Sequence, residues 1–210
     1  MKPIKTPGIL VAAAMALSAV LGVSSASAFT MFNSDKVGAT LAETDLKASV
    51  LTITGSETKC TNTTYTGSTE GLTTTSQKLT PKWEGCTSFG LPSTFTNNNC
   101  RFNLTIGTPS GNTIHLERID ASKPCELTKV SKSIFGECHV QTTEQTIGGV
   151  TYLNDPSKAG AIIVYINASG ITVHVTKSTG VCPLTVGTHT TVTWTGEMTF
   201  TASGANISVS

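Results

Sequence analysis

The chain has 210 residues, and with 28 at the start reading as a removable secretion signal, 182 remain for one domain, enough for a single core. Charged residues make up 13 %, about half the usual quarter, and without Lys2 and Lys5 of the signal the formal charge of +1 becomes −1. With no Lys/Arg cluster and few aromatics, there is nothing to build a nucleic-acid groove or an anionic-membrane patch from, so neither partner is expected.

Met1-Lys2-Pro3-Ile4-Lys5 is a short cationic start, Gly8 to Val23 is uncharged and mostly apolar, and Ala26-Ser27-Ala28 offers the small residues that a signal peptidase accepts. Sixteen such residues fall short of the twenty or so that span a bilayer. The reading is a signal peptide at 1–28 and a single β-domain at 29–210, with no membrane span once the signal is cut. The expected location is secreted, or periplasmic if the host has an outer membrane.

The mature part is poor in helix formers and rich in Thr, which accounts for 37 of its 182 residues. Thr is stiff at Cβ and suits a pleated, half-wet surface. An all-β fold follows. Leu41 to Val50 has the only helix-like composition and reads equally well as a strand. Phe102, Leu104 and Ile106 alternate with polar residues, as do Ile171, Val173 and Val175. Between the apolar run Ile162 to Ile166 and the strand from Ile171, Asn167-Ala168-Ser169-Gly170 reads as a hairpin turn. From Thr191 to Thr201, Val192, Trp194, Met198 and Phe200 point one way, and Thr191, Thr193, Thr195, Glu197 and Thr199 the other. Many short strands with Gly-rich turns suit an antiparallel β-sandwich, with a β-barrel as the alternative.

All six cysteines, Cys60, Cys86, Cys100, Cys125, Cys138 and Cys182, lie in the exported part, and an even count points to three disulfides. No two are closer than thirteen positions, so the Cys-x-x-Cys knuckle of a structural zinc is missing and no metal is expected. Fifteen pairings are possible. Joining near neighbours gives Cys86–Cys100 and Cys125–Cys138, leaving Cys60–Cys182. A weak echo runs through the chain. Cys60 is followed by Gly67, Gly71 and Cys86, and Cys100 by Gly107, Gly111 and Cys125.

The stretch Gly85-Cys86-Thr87-Ser88-Phe89-Gly90, with Trp83 before it and Asn99-Cys100 after it, resembles a motif in a family of secreted bacterial Cys-containing proteins that carry Gly-Cys-Thr-x-Phe-Gly. Gly148-Gly149-Val150-Thr151-Tyr152 and Val181-Cys182-Pro183-Leu184 resemble later parts of it. Trp83 and Ser88 depart from that family, where Tyr and Ala are expected. The resemblance implies a signal peptide and a disulfide-linked β-rich domain. It supplies no activity and no catalytic residue.

The chemistry-bearing motifs are few. His115, His139, His174 and His189 stand in no metal or nucleophile pattern, and no nucleophile elbow, His-Glu-x-x-His, phosphate loop or dinucleotide fingerprint occurs. Glu84, Glu117, Glu126, Glu137 and Glu144 are the carboxylates from which a glycosidase pair would have to come. In Trp83 to Phe95, the side chains of Trp83, Phe89, Leu91 and Phe95 share a loop-like stretch. They either form a contact patch or fold inward beneath a Cys86–Cys100 bridge. The sequence therefore points to a non-catalytic secreted or cell-envelope-associated β-domain with a binding or structural role. No catalytic residue and no cofactor is expected. Its partner classes are an envelope component, a glycan or another exported protein. The alternatives are a secreted hydrolase acting on glycans or peptides, and a protease inhibitor presenting a loop braced by Cys86–Cys100.

Overall fold

The computed structural model describes residues 29–108 and 111–210, so the expected signal at 1–28 lies outside them. Every regular element among the described residues is a strand. The first eight are β1 (Phe32–Ser34), β2 (Thr40–Ile53), β3 (Ser56–Lys59), β4 (Asn62–Ser68), β5 (Thr73–Thr74), β6 (Ser76–Glu84), β7 (Cys86–Ser88) and β8 (Leu91–Asn98). They are followed by β9 (Cys100–Thr108), β10 (Gly111–Arg118), β11 (Glu126–Ser133), β12 (Gly136–Thr143) and β13 (Gln145–Ile147). The last four are β14 (Val150–Asn154), β15 (Ala161–Ser178), β16 (Gly187–Ala202) and β17 (Ile207–Val209). The period-two pattern holds on β9, where Phe102, Leu104 and Ile106 are buried, and on β16 it buries Val192, Trp194, Met198 and Phe200; Thr199, expected on the wet face, is buried as well, past an irregularity between Thr195 and Glu197. The stretch Leu41 to Val50 lies within β2.

Antiparallel pairing closes eight strands into a ring. Four hairpins, β2–β3, β7–β8, β11–β12 and β15–β16, join edge to edge through β3–β7, β8–β11, β12–β15 and β16–β2. Closure leaves no unpaired edge in the ring. All four hairpin tips sit at one end of it: Thr54-Gly55, Phe89-Gly90, Ile134-Phe135 and residues 179–186. The first two are two-residue turns with both φ angles positive, 49° and 77°, then 56° and 72°. That is the turn whose twist matches the flanking strands. A phenylalanine there costs about 1–2 kcal/mol, which its surroundings must offset.

Strands β2, β15 and β16 are too long for the ring, and their far halves build a second layer system. There β4, β6, β9, β10 and β13 follow one another from β2, while β14 pairs with the first half of β15. Side-chain contacts tie these extra strands together. The Tyr65 and Phe200 rings lie 5.8 Å apart edge to face, and the buried Tyr152 hydroxyl donates to the Thr113 carbonyl at 3.2 Å. A small sheet, β17-β1-β5, caps the far end, with the Phe32 ring against Tyr152 at 5.1 Å. The fold is thus all-β, antiparallel and disulfide-stapled, with the barrel alternative present as the closed ring.

Two expectations need correction. Asn167-Ala168-Ser169-Gly170 is no hairpin, because β15 runs straight through it against β16. Between Ala168↔Trp194 and Ile171↔Val192 the strand carries one residue more than its partner, and Gly170 at φ 73° absorbs it as a bulge. The disulfides are Cys60–Cys86, Cys100–Cys125 and Cys138–Cys182 in place of the near-neighbour set. Cys86 is in register with Ser93, and the chain runs seven residues further along before it reaches Cys100, which places the two cysteines at different levels of the ring. The bridge forms instead between the abutting ends of β3 and β7, where the Cα atoms of Cys60 and Cys86 are 3.8 Å apart. The echoing glycine spacing marks two of the true pairs.

Candidate functional site

The inward side chains of the ring divide by chemistry. Strands β2, β12, β15 and β16 contribute Ile53, Val140, Val173, Val175 and Val192, all buried. Opposite them, β3, β7, β8 and β11 contribute Thr58, Ser88, Ser93, Lys129 and Ser131. The hydroxyls are arranged in register pairs across neighbouring strands: Thr58 with Ser88 at 2.8 Å, and Ser93 with Ser131 at 2.7 Å.

Lys129 is the unusual member of this wall. Only 2 % of its surface is exposed, and its Nζ donates to Thr58 Oγ1 at 3.0 Å and Ser88 Oγ at 2.9 Å. The Phe89 ring, turned in by its positive φ, lies over the ammonium with its centroid 4.9 Å away. Among the described residues no carboxylate pairs with Lys129; their ion pairs involve other side chains. Burial alone pushes its ammonium down to about 8. Removing a charge from water without a counter-charge is costly, so lysines are almost never fully buried unless paired.

Thr58 also faces a cavity of about 70 Å³ at the end of the ring away from the tips, where the barrel meets the second layer system. Leu127, two residues before Lys129 on the same face of β11, and Phe95, the register partner of Lys129 on β8, line it as well. The chain's two tryptophans, Trp83 and Trp194, complete the aromatic part of the wall. The rings run in contact from Phe95 to Trp83 at 5.0 Å, Trp83 to Phe102 at 6.1 Å and Phe102 to Trp194 at 5.5 Å. Trp194 is oriented by its Nε1, which donates to Ser49 Oγ at 2.6 Å. The space is apolar, with a few hydroxyls and one nearby cation, the general make-up of a small-molecule pocket.

The stretch Trp83 to Phe95 is the end of β6, then β7, a turn and most of β8. Trp83, Phe89, Leu91 and Phe95 are all half-buried. Trp83 and Phe95 meet at the cavity, Phe89 covers Lys129, and Leu91 opens β8 beside the turn. The brace expected for an inhibitor loop is absent, because Cys86 bonds Cys60 and Cys100 bonds Cys125.

The histidines make side-chain hydrogen bonds on strand surfaces. His115 bonds Thr146, His174 bonds Thr188, and His189 bonds Thr54 and the Thr185 carbonyl. His139 Nε2 lies 3.0 Å from Glu137, which also pairs with Lys177. The Lys177 and His139 hydrogen bonds hold the Glu137 carboxyl at about 2. Glu84 and Glu144 are lowered too, by hydrogen bonds from Lys82 and Arg118 respectively. A glycosidase acid needs its carboxyl raised, so these three glutamates are tuned in the opposite direction.

Sequence reasoning missed Lys129 and its hydroxyls. The signal was the alternation Leu127, Lys129, Ser131 on β11. The interleaved Glu126, Thr128, Val130 offered the opposite face with equal plausibility. Comparisons with protein-family models, curated proteins and solved structures found no match.

Proposed function

We propose that the protein is a secreted or cell-envelope-associated β-domain that acts by binding and not by catalysis, and that the lower interior of its barrel is the binding site. The observation that carries this reading is the aromatic cavity beside Lys129. A structural barrel of this size is best filled with aliphatic side chains, as its Val-rich half is. Instead, the hydroxyl-rich half holds a cation that no carboxylate among the described residues pairs with, one threonine away from a cavity with room for several water-sized groups. The three disulfides fit the oxidising compartment that secretion supplies.

The test is native mass spectrometry on oxidised protein equilibrated with small-molecule extracts of the host's growth medium and envelope. The expected result is a retained small molecule that disappears under denaturing conditions. It should also be lost in Thr142→Phe, which fills the cavity without touching Lys129. Uptake that is equal in the filled variant overturns this site. No uptake from either extract overturns the binding reading.

A further inference from the structure

We infer that the cavity takes a short monocarboxylate, its anionic head at the Thr58 end beside Lys129 and its apolar body between the aromatic rings. The inference rests on the barrel interior being the binding site and names the ligand's chemistry.

Three observations converge on it. The Lys129 ammonium is a single positive charge, buried to within 2 % of its surface, and two of its three N–H donors go to neutral hydroxyls among the described residues. A monoanion supplies the missing counter-charge, whereas a dianion would bury a net negative charge. The hydroxyls can rotate: Thr58 and Ser88 now bond each other, and either can turn its proton to an incoming oxygen at little cost. Thr58 is the member shared by the two environments, bonding Lys129 on one side and lining the cavity on the other. An acid head placed there accepts a hydrogen bond from the Thr58 hydroxyl, whose oxygen in turn accepts from the Lys129 ammonium at 3.0 Å.

The rest of the ligand follows from the walls. Leu127, Ile171, Phe95, Phe102 and the two tryptophans present hydrocarbon and ring faces, with Ser49 already engaged by Trp194. A body of a few carbons fills about 70 Å³. A longer chain has to leave past Trp83 and Phe95, the half-buried rings of the wall. Two sources share this head chemistry, a free short acid and the end of a fatty acid, and chain length separates them.

The experiment uses the full oxidised chain and the fluorescence of Trp83 and Trp194, which both face the cavity. Butyrate, 3-methylbutanoate, hexanoate, decanoate and benzoate are titrated in turn, with butyramide as the neutral isostere. Saturable changes with the acids are expected, weaker by at least about tenfold for the amide and for Lys129→Met. Heats measured at pH 8 in buffers of different ionisation enthalpy should show proton uptake on binding, which a merely structural lysine would not produce. Affinity peaking at the short acids supports the free-acid source. Affinity rising to decanoate places the tail outside and overturns the short-ligand form. Equal binding of butyrate and butyramide, or no response to any acid at millimolar concentration, overturns the inference. A molecule retained in the native mass measurement alongside such silence leaves the barrel as the binding site and removes only the carboxylate.

Discussion

Replacing Lys129 with methionine should make the protein more stable at neutral pH, and the gain should fade as the pH rises. The ammonium is held at about 8 when folded against an ordinary 10.5. A difference of that size corresponds to about 3 kcal/mol, at 1.4 kcal/mol per unit. The sign follows from proton counts. Below pH 8 both states carry the proton, and the folded state bears the whole desolvation cost. Between 8 and 10.5 the folded state gives up its proton first, so wild-type stability rises by about 1.4 kcal/mol per pH unit. Methionine keeps most of the stem's volume, and Thr58 and Ser88 still satisfy each other. A variant advantage of about 1–3 kcal/mol is therefore expected at pH 7. Burial also pushes the Tyr152 phenol up, which lowers stability at high pH, but this is common to both proteins and cancels in the difference. Urea unfolding of both proteins at half-unit steps from pH 6 to pH 9.5 measures the gap. A gap that stays constant across that range, or a variant less stable throughout, refutes the picture of Lys129 as a desolvated, unpaired cation.

Peptide mapping without reduction should recover Cys60–Cys86, Cys100–Cys125 and Cys138–Cys182, and removing either of the first two by paired serine substitution should cost about 3–4 kcal/mol in thermal or urea unfolding. Glu137 titrates at about 2 when folded against 4.5. Its stabilising contribution is thus complete above pH 4.5 and lost as the pH falls towards 2, and Glu137→Gln should flatten that part of an acid-unfolding curve. Gly149→Ala should destabilise by more than about 2 kcal/mol in the same assay. A Cβ there runs into the Asn167 carbonyl oxygen, and φ is 73°.

The sequence disclosed the class of the fold more readily than its closure. The alternation around Phe102 and around Val173 is a local property, and Thr-rich outer faces make it visible in the residue string. Closure is not local. It depends on β3 meeting β7 and β12 meeting β15, pairings between segments far apart in the chain, with no turn residue to announce them. Gly170 shows the limit of turn chemistry as a guide, since a glycine at positive φ serves a bulge as well as a hairpin. Of the stretch singled out for its clustered rings, Trp83 and Phe95 line the cavity, Phe89 covers Lys129, and Leu91 does neither. The site's cation was hidden, because a lysine on a strand ordinarily faces water, and only the ring as a whole places Lys129 inside.

The three long strands have a further consequence for how the molecule can be taken apart. Strand β2 lies near one end of the described chain, while β15 and β16 lie towards the other, and each runs through both the barrel and the second layer system. No single cut of the backbone therefore yields two pieces that each own a complete half. Fragments should complement one another only when mixed, and a new pair of termini is best opened at Ile134-Phe135. That tip is exposed and lies between two strands that belong to the ring alone.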